Sequence, residues 1–356
     1  MLKNTQYDVL VFIGRFSPLH LGHESVIKQA IRQAKQVIIL VGSSHAPRDI
    51  RNPWTFKERK RMILGVVPSH LYESHRLSVL PITDYPYNDN KWKASVRGAV
   101  NSALSWTDYP PKIGLIGHSK DASSYYLKMF PDWGSVEVDN YENINATDIR
   151  EGMFEKTLQE KRYEVMSRSV LSTLDSDEGF SFSTPNMWEL SIDALQSEWN
   201  LIKQYKEAWK AAPYSPTFHT TDAVVIQSGH VLLVKRKASP GIGQWALPGG
   251  FLNQDETLLS GAIRELKEET KIDVPVRTLR RLAEGTEKVF DDPFRSTRGR
   301  TITTAFFIDL GDDEKLPKIS AADDAEKVKW VSFDNVNRQL MFEDHFHIID
   351  WFTNIG

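Results

Sequence analysis

Cysteine is absent from all 356 residues, which excludes both a disulfide framework and a thiolate zinc site. No apolar run approaches the roughly 20 residues that a membrane-spanning helix requires. An excess of one charge sign is also lacking, because 44 basic and 47 acidic side chains leave a net charge of −3. A basic coat for nucleic acids or membranes is therefore not expected. With no signal-peptide pattern near the N-terminus, these absences predict a cytoplasmic protein with neither nucleic-acid nor membrane partners.

The composition is otherwise that of folded domains, with 40% hydrophobic and 26% charged residues. At about 150 residues per domain, the length predicts roughly two domains. In the first half, short apolar runs alternate with amphipathic stretches, which predicts a mostly parallel α/β sheet with helices on both faces. The predicted strands are Tyr7–Ile13, Gln36–Gly42, Leu77–Pro81 and Lys112–Gly117, and the predicted helices lie near Thr55–Gly65 and Trp92–Leu104.

The second half follows a different pattern. Ser172–Asn186 is rich in Ser, Asp, Gly, Thr and Pro, which predicts a linker or exposed loop, and a helical segment follows at about Trp188–Ala211. Alternating strand candidates at Ala223–Gln227 and Val231–Arg236 predict a hairpin that turns at Ser228-Gly229. We therefore divide the chain into a first domain (1–185), a helical linker segment (186–216) and a second domain (217–356).

The most informative segment of the first half is Gly14-Arg15-Phe16-Ser17-Pro18-Leu19-His20-Leu21-Gly22-His23, which joins the first predicted strand to a helix. In a parallel sheet, ligands bind at the carboxyl ends of strands and face helix N-termini. His20 and His23 are three residues apart at that point, so both imidazoles can reach one phosphate. Gly14 and Gly22 let the backbone approach a ligand closely. The segment predicts a phosphate site, and it is not a Walker-type one, because no G-x-x-x-x-G-K-[ST] string occurs.

This segment resembles the (H/T)xGH signature of the nucleotidyltransferase superfamily. Its longer string is similar to that of nicotinamide-nucleotide adenylyltransferases of archaeal type, which usually have Gln in place of Ser17. Asn145 stands where the second signature of the superfamily usually has Ser, and it is still a competent helix cap. The resemblance covers about residues 5–170 and implies a Rossmann-like nucleotidyltransferase domain with a parallel sheet. The similar segments downstream are Gly42-Ser43-Ser44, Arg51-Asn52-Pro53-Trp54-Thr55 with Glu58-Arg59, Asn90-Lys91-Trp92, Gly117-His118-Ser119-Lys120-Asp121 and Asn145-Ala146-Thr147-Asp148-Ile149-Arg150.

The resemblance implies that the phosphate of nicotinamide mononucleotide (NMN) attacks the α-phosphate of ATP, which yields NAD and pyrophosphate. Such a transfer needs positioning and charge stabilisation more than a protein nucleophile. The implied catalytic residues are His20, His23 and Arg150, with Mg²⁺ completing the charge around the triphosphate. The implied substrate-binding residues are Arg15 at the triphosphate, Arg51 at the mononucleotide phosphate, Trp92 against the nicotinamide, and Gly14, Phe16, Ser43, Asn52, Gly117, Lys120, Asp121, Asn145 and Thr147.

The second half contains the acidic motif Gly250-x5-Glu256-x7-Arg264-Glu265-Leu266-x-Glu268-Glu269-x-Lys271-Ile272. Its last three glutamates lie at i, i+3 and i+4 and therefore share one helical face. Crowded carboxylates repel one another unless a hard divalent cation such as Mg²⁺ or Mn²⁺ neutralises them. Arg264 can orient a neighbouring glutamate. The pattern predicts a metal site and a catalytic centre; the metal ligands are Gly249, Glu265, Glu268 and Glu269, and the catalytic residues are Glu268 and Glu269.

This motif is identified as a Nudix box with one departure, Lys271 in place of Gly. A residue other than Gly in the left-handed conformation after a helix costs about 1 kcal/mol, which affects stability rather than the metal ligands. The resemblance implies an α/β/α sandwich with a mixed sheet. Segments containing Arg236, Arg295, Arg298 and Glu326 are similar to those of ADP-ribose pyrophosphatases and imply substrate contacts. The expected reaction is hydrolysis of ADP-ribose to AMP and ribose 5-phosphate with Mg²⁺ or Mn²⁺.

The combined order of motifs resembles bifunctional nicotinamide-nucleotide adenylyltransferase/Nudix proteins, and alternatives remain for each half. The first domain could serve an acceptor such as pantetheine phosphate or a flavin, although Arg51 and Trp92 suit a nicotinamide nucleotide. The second could hydrolyse another nucleoside diphosphate derivative or act as a ligand sensor, although its intact carboxylates favour hydrolysis. The sequence leaves open a homo-oligomer, the choice between NMN and its nicotinate analogue, and communication between the sites.

Overall fold

The computed structural model describes residues 6–104, 110–117, 129–139, 141–158, 161–175, 192–313, 315–321 and 325–356. The chain divides into two units, Met1–Pro185 and Asn186–Gly356, and each contains its own buried apolar clusters. None of the helices in the described ranges is long and apolar enough to cross a membrane.

The sheet of the first unit contains five parallel strands, β1 (Tyr7–Gly14), β2 (Ala34–Val41), β3 (Leu77–Pro81), β4 (Ile113–Gly117) and β5 (Gly134–Glu137). Their order is β3-β2-β1-β4-β5, so the strand order reverses between β1 and β4. Ligands of such sheets bind at the carboxyl ends of the strands beside this switch point. The helices are α1 (Leu21–Gln33), α2 (Phe56–Gly65), α3 (Ser69–Glu73), α4 (Asp89–Ala103), α5 (Ala146–Phe154), α6 (Arg162–Val165) and α7 (Arg168–Asp175).

Helices cover both faces of this sheet, as the sequence predicts. Leu10 and Phe12 of β1 join a buried cluster that also contains Ile27 of α1. Val11 points to the opposite side and joins a second cluster with Val96 of α4. The alternation along β1 therefore buries both faces, which is the arrangement expected of a parallel sheet.

Two segments of the first unit differ from the prediction. Helix α7 extends to Asp175, although the loop was predicted to begin at Ser172; Leu171 and Leu174 are buried against the first cluster, and this packing outweighs the polar composition. Helix α4 begins three residues before Trp92, because the Asn88 side chain accepts a hydrogen bond from the Lys91 N–H at 2.9 Å.

The second unit begins with α8 (Ile192–Ala208) and continues with a mixed seven-stranded sheet. Along the main path the order is β10-β11-β6-β7-β12, with β8 paired to β7 and β9 to β6; β11 and β6 are parallel and the other pairs are antiparallel. Its strands are β6 (Phe218–Gln227), β7 (His230–Arg236), β8 (Trp245–Ala246), β9 (Gly249–Phe251), β10 (Lys288–Phe290), β11 (Thr301–Asp309) and β12 (Ala325–Ser332), and its other helices are α9 (Leu258–Thr270), α10 (Val276–Ala283) and α11 (His345–Thr353).

The predicted hairpin of the second unit is confirmed. Gln227 of β6 pairs with His230 of β7, and the intervening Ser228 and Gly229 have φ angles of 45° and 70°. Two consecutive residues with positive φ are the mark of the tight turn that suits the twist of antiparallel strands.

Lys271 follows α9 in the left-handed conformation, with φ 45° and ψ 32°. Because only Gly adopts this conformation without a Cβ penalty, we expect Lys271→Gly to raise the free energy of unfolding of the second unit by about 0.5–1 kcal/mol. Thermal and denaturant unfolding would measure this gain. Lys271→Ala is the matched control, because it removes the same side chain and keeps the Cβ; equal stabilisation by both variants would contradict the explanation.

Candidate active sites

The first candidate site lies where β1 ends and α1 begins, at the switch point of the parallel sheet. His20 is the extended residue just before α1, and its ring centroid lies 3.8 Å from that of His23 in the first turn. The Phe16 ring lies 4.9 Å from the His23 ring. Gly22 is required here, because a Cβ would stand 3.0 Å from Cε1 of His20. The two histidines are thus side by side at a helix N-terminus, which attracts anions.

Arg59 of α2 joins the two loops that frame this site. Its guanidinium donates to the carbonyl oxygens of Arg15 and Gly42, both at 2.8 Å, and of Ser43 at 3.1 Å. Burial lowers the pKa of Arg59 to about 10, so the group remains charged near neutral pH. The sequence analysis names Arg59 only as part of the segment similar to nicotinamide-nucleotide adenylyltransferases and assigns it no role in the site.

Arg150 of α5 fastens the loop that precedes the histidines. It donates to the Ser17 carbonyl at 2.6 Å and to the Thr147 hydroxyl at 3.1 Å. The Asn145 side chain caps α5 by accepting from the Asp148 N–H at 2.9 Å. Burial, together with the positive charge of the nearby Arg15, lowers the pKa of Arg150 to about 10. An anionic ligand would relieve the repulsion between these two cations.

The loops after β2 are shaped by two aspartates that the sequence analysis did not single out. The Ser43 N–H and hydroxyl donate to Asp84 at 3.1 and 2.5 Å. The N–H groups of Arg51 and Asn52 donate to one oxygen of Asp49 at 2.8 and 2.6 Å. The polar groups of Ser43 and the backbone of the Arg51 turn are therefore held by the protein itself.

The structure describes only some of the remaining residues that the sequence predicts for the first site. Trp92 lies half-buried in the first turn of α4, with its ring 5.9 Å from that of Phe130. Gly117 ends β4 at the carboxyl edge of the sheet. Lys120 and Asp121 lie outside the described residues.

The second candidate site is built on the acidic face of α9, where Arg264 binds three glutamates. Its guanidinium donates twice to Glu256, at 2.9 and 2.6 Å, and through Nη1 to Glu265 at 2.8 Å and Glu268 at 3.0 Å. These contacts lower the pKa of Glu256 to about 2. Glu268 is 60% exposed at the rim of the site. Arg264 therefore orients the carboxylates, as the sequence predicts.

Glu269 lies deeper than the other carboxylates and accepts a hydrogen bond from the Gly249 N–H at 3.0 Å. Burial, together with the charges of the nearby Glu265 and Asp222, raises its pKa to about 8. The pKa of Glu265 is also raised, chiefly by burial. Two glycines make this crowding sterically possible: a Cβ at Gly249 would overlap the Asp222 carboxylate, and one at Gly250 would overlap that of Glu265.

These residues fit a hard divalent cation. Within the described ranges, no group of three His, Asp or Glu side chains is already arranged around one point, because Arg264 occupies oxygens of Glu265 and Glu268. Burial is the main cause of the raised pKa values of Glu265 and Glu269, and neighbouring carboxylates add to it, so a bound cation would favour the ionised form of both side chains. Carboxylate oxygens are the donors that Mg²⁺ and Mn²⁺ prefer.

A cavity of about 450 Å³ opens beside this helix, and its lining includes Glu265 and Glu269 as well as Arg236, Arg295 and Arg298. Arg236 lies over the Phe342 ring at 3.9 Å, and Arg298 lies near the rings of Phe342 and Phe251, at 5.8 and 5.1 Å. A cavity that combines carboxylates with arginines suits a metal-bound polyphosphate or diphosphate ligand.

Some residues that the sequence predicts for this site do not line the cavity, and one lines it but is bound to another side chain. Arg295 lines it, but its guanidinium donates twice to the buried Asp344, both times at 2.9 Å. Glu326 lies outside the lining and accepts from Lys235 at 2.9 Å. Glu268 is likewise absent from the lining.

The segment before α11 contributes residues that the sequence analysis missed. Phe342, Glu343 and His345 line the cavity. Nδ1 of His345 accepts from the Leu247 N–H at 2.9 Å, and complete burial lowers the pKa of His345. No spacing rule connects these residues to the acidic motif, since they follow it by 70 positions or more. Asp222 did carry a signal, because it is a charged residue that directly precedes the apolar run of β6.

Comparison with known proteins identifies a domain of known family in each unit. A cytidylyltransferase-like model matches residues 11–152, and a NUDIX domain model matches residues 217–352. The first unit is similar to a nicotinamide/nicotinic acid mononucleotide adenylyltransferase of Acinetobacter baylyi, with 38% identity over 49% of this chain and 89% of the relative. The second is similar to an ADP-ribose pyrophosphatase of Methanocaldococcus jannaschii, with 34% identity over 36% of this chain and 68% of the relative.

The fold and the two sites define an enzyme that joins a nucleotidyltransferase unit to a Nudix hydrolase unit. A crystal structure from Francisella tularensis matches with a TM-score of 0.84 and 37% identity, over 98% of this chain and 100% of that one. That structure is described as a bifunctional NMN adenylyltransferase/ADP ribose pyrophosphatase complexed with AMP and a Mn ion. The chain belongs to the family of bifunctional NMN adenylyltransferase/ADP-ribose pyrophosphatases.

Proposed function

We propose that the first unit transfers the adenylyl group of ATP to NMN, giving NAD and pyrophosphate, and that the second hydrolyses ADP-ribose to AMP and ribose 5-phosphate. The adjacent histidine pair at the N-terminus of α1 carries the first assignment. The cavity lined by both carboxylates and arginines carries the second. We assign the transferase to residues 1–185 and the hydrolase to residues 217–356.

In the transferase, the NMN phosphate oxygen attacks the α-phosphorus of ATP, and the bond to the departing pyrophosphate breaks. His20 and His23 donate hydrogen bonds to the phosphates at the helix N-terminus, where developing negative charge is stabilised. Arg15 and Arg150 supply positive charge on the same side. Mg²⁺ that arrives with ATP neutralises part of the triphosphate charge. Because no protein nucleophile is required, these residues act by positioning and electrostatics.

In the hydrolase, Glu265 and Glu269 would hold the cation, with Glu268 and the Gly249 backbone as further ligands. A bound Mg²⁺ or Mn²⁺ would neutralise the diphosphate and lower the pKa of water there. Arg236 and Arg298 bind the diphosphate oxygens from the same cavity. Water then adds to a phosphorus of ADP-ribose, and cleavage of the P–O–P bond leaves one phosphate on each product.

Two assays of the purified full chain test the proposal. NMN, ATP and Mg²⁺ are expected to give NAD and pyrophosphate, and ADP-ribose with Mg²⁺ or Mn²⁺ is expected to give AMP and ribose 5-phosphate, with products separated by chromatography. Pantetheine phosphate and flavin mononucleotide serve as competing acceptors. Transfer to one of these in preference to NMN would refute the first assignment, and binding of ADP-ribose without turnover would refute the second.

Trp92→Ala is expected to raise the KM for NMN by about two- to tenfold, with a smaller effect on ATP, because aromatic stacking contributes about 0.5–1.5 kcal/mol. Steady-state kinetics with each substrate varied would measure this difference. Trp133→Ala is the matched control, since Trp133 also packs on Phe130, with ring centroids 4.6 Å apart. If both variants changed both KM values equally, Trp92 would be a packing residue without contact to nicotinamide.

A further inference from the structure

One buried face of α8 contains a carboxylate among apolar side chains. Leu195, Glu198 and Ile202 are 1%, 3% and 2% exposed, and their spacing of three and four residues places them on one stripe of the helix. Burial of a carboxylate is unfavourable unless hydrogen bonds compensate for the lost hydration. An apolar residue at position 198 would pack at lower cost, so the contacts of Glu198 need an explanation.

The partner of Glu198 is the backbone of a loop at the hydrolase cavity. Its Oε2 accepts from the Gly241 N–H at 3.0 Å. Gly241 has φ 78°, and a Cβ at this position would overlap the Phe342 ring. The glycine therefore lets the loop pass between α8 and a residue that lines the cavity.

The same loop determines the direction of the Arg236 side chain, because Nε of Arg236 donates to the Pro240 carbonyl at 2.9 Å. The backbone of Arg236 is bound as well: its N–H donates to the Gln244 carbonyl at 2.9 Å, and its carbonyl accepts from the Gly243 N–H at 2.8 Å. The loop is thereby closed on Arg236, and Glu198 holds Gly241, the residue next to the carbonyl that the Arg236 side chain binds.

We propose that Glu198 is a positioning residue of the hydrolase: it fixes the 239–243 loop, whose Pro240 carbonyl directs the Arg236 guanidinium toward the diphosphate of the substrate. Glu198 lies outside the residues matched by the NUDIX domain model, so α8 extends the site beyond that domain. This inference rests on the proposed hydrolase function. The negative charge of Glu198 also opposes the lowering of the Arg236 pKa by burial and by Arg298.

A separate contact ties α8 to the second arginine of the cavity. Tyr205 and Trp209 pack on the Phe218 ring, with centroid distances of 5.6 and 5.4 Å. Phe218 in turn contacts Phe251 at 5.9 Å, and Arg298 lies over Phe251. The helix therefore supports Arg236 through a hydrogen-bonded loop and Arg298 through aromatic packing.

Three variants of the full chain test the role of Glu198. Glu198→Leu keeps the packing volume and removes the hydrogen-bond acceptor. We expect this variant to raise the KM for ADP-ribose about tenfold, which is the effect of losing one hydrogen bond to a charged group. Its kcat is expected to stay within about twofold of the wild-type value. Glu198→Gln keeps an amide oxygen that can accept from Gly241, so its KM is expected near the wild-type value. Glu207→Ala, an exposed residue of α8, is the matched control without effect.

NAD synthesis and thermal unfolding are measured on the same samples, and both are expected to be unchanged. A wild-type KM for Glu198→Leu would overturn the inference, because a purely structural carboxylate is replaced without loss by Leu. Equal impairment of the Leu and Gln variants would also overturn it, because the hydrogen-bond acceptor would then not be what matters. Absence of ADP-ribose hydrolysis by the wild-type chain would refute the proposed function. This outcome is seen without any variant, so it is distinguished from the two outcomes that overturn the role of Glu198.

Discussion

His23→Ala is expected to lower the rate of NAD synthesis by about 10²–10³-fold, the effect of removing one donor from a site that stabilises developing phosphate charge. The His23 ring packs against the rings of Phe16 and His20 within the first turn of α1, so its position is fixed before substrate binds. ADP-ribose hydrolysis is expected to continue at the wild-type rate, because the acidic helix belongs to the other unit.

Rates of both reactions, measured on one preparation, check this result. His70→Ala is the control, since His70 is an exposed histidine of the same unit. Circular dichroism would show that the variant is folded. Wild-type NAD synthesis by a folded His23→Ala protein would mean that the histidine pair does not contact the reacting phosphates.

The elements that the sequence predicts well are those set by local chemistry. The hairpin at Ser228 and Gly229 follows from turn residues between alternating strands. The left-handed Lys271 follows from its place at the end of an amphipathic helix. Both signals lie within a few residues of the feature that they determine.

The parts of the sites that the sequence did not predict depend on contacts between distant segments. Arg59 binds carbonyls after β1 and β2, and His345 reaches its cavity from the end of the chain. Arg59 stands in a segment that the sequence analysis names, but its partners lie elsewhere in the chain, and His345 belongs to no short motif with a recognised spacing. Glu198 shows the same dependence on distant contacts more clearly. Its polar side chain interrupts an otherwise apolar stripe of α8, but only the fold shows that it accepts a hydrogen bond from the Gly241 N–H.

Glu269→Gln is expected to abolish most ADP-ribose hydrolysis and to weaken Mg²⁺ or Mn²⁺ binding, because it removes the most buried charge of the metal site. The shape of the side chain is kept, and the Gln oxygen can still accept from the Gly249 N–H. NAD synthesis is expected to be unaffected, since its metal arrives with ATP. Kinetics of both reactions and calorimetric titration with Mn²⁺ would measure these effects.

The same substitution is expected to stabilise the metal-free protein. Burial raises the pKa of Glu269 from 4.5 to about 8, so the folded state binds this proton more tightly than the unfolded state. The free energy of unfolding therefore falls as the pH rises from about 5 to 8, by on the order of 3 kcal/mol at pH 7. Because the Gln amide does not titrate, the free energy of unfolding of the variant does not show this decline with rising pH.

Melting temperatures with a chelator at pH 5 and pH 8 separate this effect from general stabilisation. The advantage of Glu269→Gln over wild type is expected to be small at pH 5 and large at pH 8, because between these values the wild-type carboxyl is ionised in the unfolded state but largely protonated in the folded state. Glu284→Gln, at an exposed residue after α10, should show no advantage at either pH. If hydrolysis persists at the wild-type rate and the stability difference does not depend on pH, the acidic face of α9 is a solvated surface and the hydrolase assignment fails.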